Sequence, residues 1–125
     1  MVKRKERISF PDSKISETFL DFAEPLLLSA GAKITKHQFE KALRIAFTVW
    51  NSVVYDTVNG NSNFVTELKK YVADDPSAEA LIERMISRKK TMFGDDLRLI
   101  GDYKIMNKKG QWRLRAEARD PVNKL

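Results

Sequence analysis

The chain has 125 residues, no cysteine and a formal net charge of +6 at pH 7. A domain of this length can bury a stable hydrophobic core without disulfides or bound metals. The absence of thiols excludes disulfides and thiolate zinc sites. Hydrophobic residues make up 42% and charged residues 32%, as in folded soluble domains. No apolar run approaches the roughly 18 residues of a membrane span, and no secretory signal follows the N-terminus. We therefore expect a cytoplasmic protein that does not engage membranes.

Positive charge is concentrated at the two ends of the chain. Residues 1–9 carry a net charge of +3 and residues 97–125 carry +5, so the middle is mildly acidic. The predicted organisation is a single domain over residues 1–125. Within it, residues 1–10 form a basic arm, 13–94 a helical region, 97–119 a hairpin and 120–125 a tail.

The first predicted helix follows Ser13, because apolar residues recur there at helical spacing. These residues are Ile15, Phe19, Phe22, Ala23, Leu26 and Leu27. Pro25 has no N–H, and its ring clashes with the preceding turn, so we expect this helix to kink or divide near Ala23 to Pro25. Gly31 suits the left-handed residue that ends a helix.

The second helix is predicted to be the central core helix. Thr35 to Gln38 reads T-x-x-Q, a capping box in which each residue satisfies a backbone N–H of the other. Apolar residues then follow helical spacing for more than five turns. They are Phe39, Ala42, Leu43, Ala46, Phe47, Trp50, Val53, Val54 and Val58. The turn formers Asn59 to Ser62 end the helix.

Two shorter helices are predicted next. One has its apolar face between Phe64 and Val72 and stops at Asp74. The other begins with Asp75 as the cap and Pro76 in the first helical position, carries acidic residues early and basic residues late, and ends near Gly94.

Residues Leu97 to Arg119 alternate between apolar and charged, which predicts a β-hairpin. The hydrophobic pattern favours a register that pairs Ile105 with Trp112, Tyr103 with Leu114, Asp102 with Arg115 and Lys104 with Arg113. The turn would then be Asn107 to Gly110 in type I geometry. A three-residue loop with a glycine bulge is the alternative, and it would pair Met106 with Trp112.

These elements predict an α+β fold that is mainly α. About four helical segments precede a C-terminal two-stranded antiparallel hairpin, which packs on the helices because a hairpin alone is marginally stable. A second copy of the protein could also cover its apolar face.

No group of residues forms a recognisable catalytic or metal signature. His37 has Glu40 nearby, but no cysteine or second histidine completes a triad or metal set. Asp95, Asp96 and Asp56 could serve a small enzyme or ligand binder, although turns and caps recruit aspartate for structural reasons. We therefore expect no catalytic residue, no metal and no cofactor.

The most concrete candidate surface is the charged side of the hairpin. Basic ribbons bind nucleic acids, and basic side chains carry the salt-dependent part of that binding. The candidate residues are Arg98, Lys104, Lys108, Lys109, Arg113, Arg115 and Arg119. Against this, the favoured register sets Asp102 opposite Arg115, and Glu117 lies beside Arg113 and Arg115. Base-stacking aromatics are also missing from that side.

Three functional hypotheses follow. The leading one is a small, non-catalytic protein-interaction module that self-associates as a homodimer. The alternative is a nucleic-acid-binding protein that uses the hairpin face and the N-terminal arm. The third is a small enzyme or ligand-binding domain.

Overall fold

The computed structural model describes residues 15–29, 31 and 33–120, with only the backbone of Gln111. The elements are α1 (Ile15–Ser29), α2 (Lys36–Asn59), α3 (Asn63–Tyr71), α4 (Pro76–Met92), β1 (Leu99–Lys108) and β2 (Gln111–Arg119). Four helices followed by a two-stranded antiparallel hairpin confirm the predicted fold class. The basic arm over residues 1–10 and the tail beyond residue 120 lie outside the described residues.

Local capping chemistry sets several helix ends as predicted. Thr35 Oγ1 accepts from the N–H of Gln38 at 3.1 Å, and Gln38 Oε1 accepts from the N–H of Thr35 at 3.0 Å. Helix α2 ends at Gly60, whose φ of 70° is the left-handed conformation that glycine adopts without strain. Asp75 Oδ1 accepts from the N–H of Ala78 at the start of α4.

Helix α1 continues through Pro25 to Ser29, so of the two outcomes expected there, a kink or a division, the division is wrong. Pro25 provides no N–H for the carbonyl of Asp21 four residues earlier. Arg88 of α4 replaces it, because its Nη2 donates to Asp21 O at 2.6 Å and its Nε donates to Phe22 O at 3.0 Å. The guanidinium thus satisfies the helix backbone at the proline.

The core centres on α2, as the breadth of its apolar stripe predicts. Trp50 is fully buried and meets Phe22 of α1 edge-on, with ring centroids 5.3 Å apart. Phe93, just after α4, contacts both rings at 5.7 and 5.8 Å. These aromatic contacts join α1, α2 and the end of α4 in one cluster.

The predicted hairpin register is wrong by two residues. Ile105 pairs with Leu114 rather than with Trp112, and Tyr103 pairs with Ala116. The pairing of Met106 with Trp112 in the alternative loop is also wrong, because Met106 pairs with Arg113. A shift of two residues preserves the sides of the strands, so the apolar residues still face inward.

The reason for the shift is the turn. Lys109 and Gly110 have φ values of 55° and 80°, so they form a two-residue loop of the type I′ class, which matches the twist of paired strands. At the other end of the hairpin, a bulge at Gly101 shifts the pairing again between Ile100 and Asp102. Leu99 and Ile100, although consecutive, are both buried.

The inner face of the hairpin packs on the helices, as predicted. Tyr103 contacts Phe19 of α1 and Phe47 of α2, with centroids 5.8 and 5.3 Å apart. Near the turn, Trp112 stacks on Phe39 of α2 at 5.7 Å. The molecule's own helices therefore cover the aromatic face of the ribbon, and its other face remains in solvent.

Candidate nucleic-acid interface

The outer face of the hairpin is the solvent-facing side of the two strands. Its residues are Asp102, Lys104, Met106 and Lys108 from β1, and Arg113, Arg115, Glu117 and Arg119 from β2; all are exposed. Lys109 extends this face at the turn. Six of the seven predicted candidate residues thus lie on the hairpin, and only Arg98 does not.

The actual register changes the charge pattern of this face. Asp102 lies opposite Glu117, and Lys104 lies opposite Arg115, so like charges face each other directly. Asp102 and Arg115, which were expected to lie directly opposite each other, are therefore diagonal neighbours across the two strands. Like-charged cross-strand pairs are destabilising by some tenths of a kcal/mol.

This register also separates the charges along the ribbon. The two carboxylates, Asp102 and Glu117, lie together near the base of the hairpin. From Lys104 to Arg115 the chain contains five basic residues and no acidic one. We call this segment the basic end of the hairpin; the two carboxylates border it beside Lys104 and Arg115, and its other cations lie farther toward the turn.

Arg119 lies at the base of the same face. Its guanidinium lies over the bulge, and a Cβ built on Gly101 would be 3.1 Å from its Nε. The lack of a side chain at Gly101 therefore leaves room for the guanidinium. Arg119 lies beyond the acidic pair and is not part of the basic end.

Arg98 lies just before β1 and is paired with Asp96, which corrects its assignment to the outer face of the hairpin. Its Nε and Nη2 contact the two carboxylate oxygens of Asp96 at 2.8 and 2.5 Å. This hydrogen-bonded pair raises the pKa of Arg98, mainly through the bond to Asp96. The carbonyl of Arg98 accepts from Trp50 Nε1 at 2.7 Å. Arg98 and Asp96 therefore fix the connection between α4 and β1.

Sequence reasoning missed a buried lysine beside this connection. Lys89 is only 1% exposed, and its Nζ donates to the carbonyls of Phe93 and Asp96 at 2.7 and 2.9 Å. The ammonium lies 4.3 Å from the centre of the Trp50 ring. Burial lowers the pKa of Lys89 to about 8, although Asp96 acts in the opposite direction. In the sequence, the signal for this burial was the position of Lys89 one helical turn after the apolar Met85.

Asn51 fixes the start of β1 to the central helix. Its Nδ2 donates to the carbonyl of Ile100 at 3.0 Å, and its Oδ1 accepts from the N–H of Ile100 at 2.9 Å. The amide thus pairs with Ile100 as a neighbouring strand would.

The other candidates for chemistry have structural positions. Asp56 is buried, and its carboxylate accepts from the N–H groups of Phe64 and Val65 at 3.0 and 2.9 Å, which caps α3 from α2. His37 is exposed in the first turn of α2. In the part of the chain that the structure describes, no three His, Asp or Glu side chains converge as they would around a metal ion.

A shallow groove of about 470 Å³ runs between α2 and the outer edge of β1. It is lined by Lys36, Glu40, Arg44, Asp102, Tyr103 and Ile105. Its charged side chains have both signs, and burial raises the pKa of the Tyr103 phenol. The groove therefore has no strong preference for an anion, unlike the basic end of the hairpin.

Comparison of the chain with protein-family models, curated proteins and solved structures finds no match. Over residues 15–29, 31 and 33–120, no helix is both long and apolar enough to cross a membrane. The function is therefore inferred from the geometry of the chain itself.

Proposed function

We propose that the protein binds nucleic acid through the outer face of its hairpin. The observation that carries this proposal is the basic end, where five cations occur without an acidic residue. Lys104 and Arg115 face each other directly there, at a cost that a bound phosphate would offset. The register thus replaces the expected direct pairing of Asp102 with Arg115 by a diagonal one.

The alternatives have less support from the described residues. Self-association was expected through the apolar face of the hairpin or through an unpaired strand edge. The apolar face packs on Phe19, Phe39 and Phe47 of the same chain, and pairing through an edge of the two-stranded sheet remains a prediction. An enzymatic role was assigned to Asp56 and Asp96 among others, and both carboxylates are engaged in structural contacts. Protein interaction and enzymatic activity therefore remain predictions.

Binding through phosphate contacts predicts how strongly the affinity for nucleic acid depends on salt. If all five cations contact phosphates, the slope of log K against log[salt] is about −4 to −5 on duplex DNA. Raising the salt from about 50 to 200 mM then weakens binding by roughly 500-fold. Fluorescence anisotropy with labelled DNA and RNA of mixed sequence measures this slope.

The decisive variant is the double substitution Arg113→Glu and Arg115→Glu. It removes two cations from the basic end and adds two repulsive charges, so we expect at least about a 30-fold loss at low salt and a slope smaller by about one to two, according to whether Arg113 contacts a base edge or a phosphate. The matched control is Arg84→Glu with Lys90→Glu, which changes the net charge equally at exposed positions of α4.

Circular dichroism checks that both variants fold. Equal losses in the two variants would show a diffuse effect of net charge rather than a site. Absence of binding by the native protein at about 50 mM salt would refute the proposal.

A further inference from the structure

We infer that the nucleic acid is duplex DNA and that the outer face of the hairpin lies in its major groove. This inference rests on the proposed function and specifies its ligand. It depends on the shape of the ribbon, on the side chains at its centre and on the position of its aromatic residues.

The dimensions of the ribbon fit the groove. Adjacent strands lie about 5 Å apart, so the ribbon with its backbone is roughly 10 Å wide, against about 12 Å for the major groove of B-DNA. The strand part of the basic end, Lys104–Lys108 paired with Gln111–Arg115, is about 13 Å long at 3.3 Å per residue, which spans about four base pairs. Two-stranded ribbons are among the elements that enter this groove.

The side chains at the centre of the face suit base edges as well as phosphates. Arg113 lies directly opposite Met106, next to the pair formed by Lys104 and Arg115. Arginine donates in a bidentate manner to O6 and N7 of guanine, which the major groove displays. Met106 is 45% exposed among these cations, and a thymine methyl group offers it an apolar contact in the same groove.

The aromatic residues argue against single-stranded ligands. Proteins that bind single strands stack bases on exposed aromatic rings. The ribbon's own rings, Tyr103 and Trp112, are on its inner face, where they contact Phe47 and Phe39. Duplex RNA is also a poor fit, because its major groove is too deep and narrow for side chains to read.

The test compares ligands of one sequence at one salt concentration. The native protein is titrated with a duplex DNA of about 20 base pairs, with its single strand, and with the corresponding RNA duplex. We expect the DNA duplex to bind at least about tenfold more tightly than either other ligand. Equal or tighter binding of the single strand or the RNA duplex would overturn the inference.

Two further ligands identify the groove. A duplex whose cytosines carry glucosylated hydroxymethyl groups has its major groove filled, and we expect at least about a tenfold loss of affinity. The unmodified duplex saturated with distamycin has its minor groove filled, and we expect a change below about twofold. The reverse pattern would overturn the inference.

The Arg113→Glu, Arg115→Glu variant separates the two proposals. If it loses affinity for every ligand while the native protein does not prefer duplex DNA, nucleic-acid binding stands and the groove assignment fails. If the native protein binds none of the ligands, both proposals fail.

Discussion

The buried ammonium of Lys89 makes stability depend on pH in a defined window. Burial lowers its pKa from 10.5 to about 8 in the folded protein. Below pH 8 the lysine is protonated in both the folded and unfolded states, and above 10.5 it is neutral in both. Between these values the unfolded state binds more protons, so the free energy of unfolding rises with pH. The full rise is about 3 kcal/mol, of which about 2 to 3 is gained by pH 10.

Urea unfolding at pH 7, 8, 9 and 10 measures this rise, with Lys89→Met as the comparison. Methionine has a similar length and no titrating group, so the difference between the two proteins isolates Lys89. Asp95, Asp96 and Arg98, the charged groups that act on the ammonium, are present in both proteins. Burial also raises the pKa of Tyr103, which lowers stability above about pH 10, but equally in the two proteins.

If the difference in unfolding free energy between the native protein and Lys89→Met stays constant within about 0.5 kcal/mol from pH 7 to 10, the burial of a charged Lys89 is refuted. The fluorescence of Trp50 provides a second measurement in a Trp112→Phe background. Because the ammonium lies 4.3 Å from the centre of the Trp50 ring, its deprotonation changes the field on the indole. The emission should therefore titrate near pH 8, and an emission without a transition between pH 7 and 10 would count against the same contact.

Three further predictions concern stability and are measured by urea unfolding. Asn51→Leu leaves the N–H and the carbonyl of Ile100 without their side-chain partners and should cost about 2 to 5 kcal/mol; a loss below about 1 kcal/mol would show that water replaces the amide. Lys109→Asn should add about 0.5 to 1 kcal/mol, because asparagine tolerates the φ of 55° better, and a loss would contradict the type I′ turn. Gly94→Ala should cost about 1 to 3 kcal/mol, because the new Cβ would lie 2.6 Å from the carbonyl oxygen of Lys90; unchanged stability would contradict that close approach.

The elements that could be predicted from the sequence depend on residues close together in the chain. The capping box of Thr35 and Gln38 and the cap at Asp75 involve contacts over three residues, so they can be recognised from spacing alone. The four helices and the covered face of the hairpin follow from apolar periodicity in the same way. The hydrogen bonds to α1 near Pro25 could not be predicted, because they come from Arg88, which lies 66 residues from Phe22 in the chain.

The hairpin register shows where local reasoning fails. A lysine in the left-handed conformation is intrinsically unfavourable, so the two-residue turn at Lys109 was not the expected choice. In the structure the turn occurs together with the stacking of Trp112 on Phe39. For the candidate site, spacing assigned six residues to the hairpin correctly. It could not show that Arg98 binds Asp96 after the chain leaves α4.

The contact between Arg88 and α1 has an evolutionary consequence. The arginine donates to the carbonyl of Asp21, for which Pro25 provides no N–H, and also to the carbonyl of Phe22, so residues 25 and 88 are linked through the backbone of α1. Loss of Arg88 first would remove the donor to the Asp21 carbonyl while Pro25 still lacks an N–H, whereas replacing Pro25 first would restore a helical donor to that carbonyl. The order in which residues 25 and 88 are substituted therefore decides whether the single variant in between is stable. A double-mutant cycle of the two positions should show a coupling free energy of about 1 to 3 kcal/mol. An apparent helix breaker here acts as an attachment point between two helices.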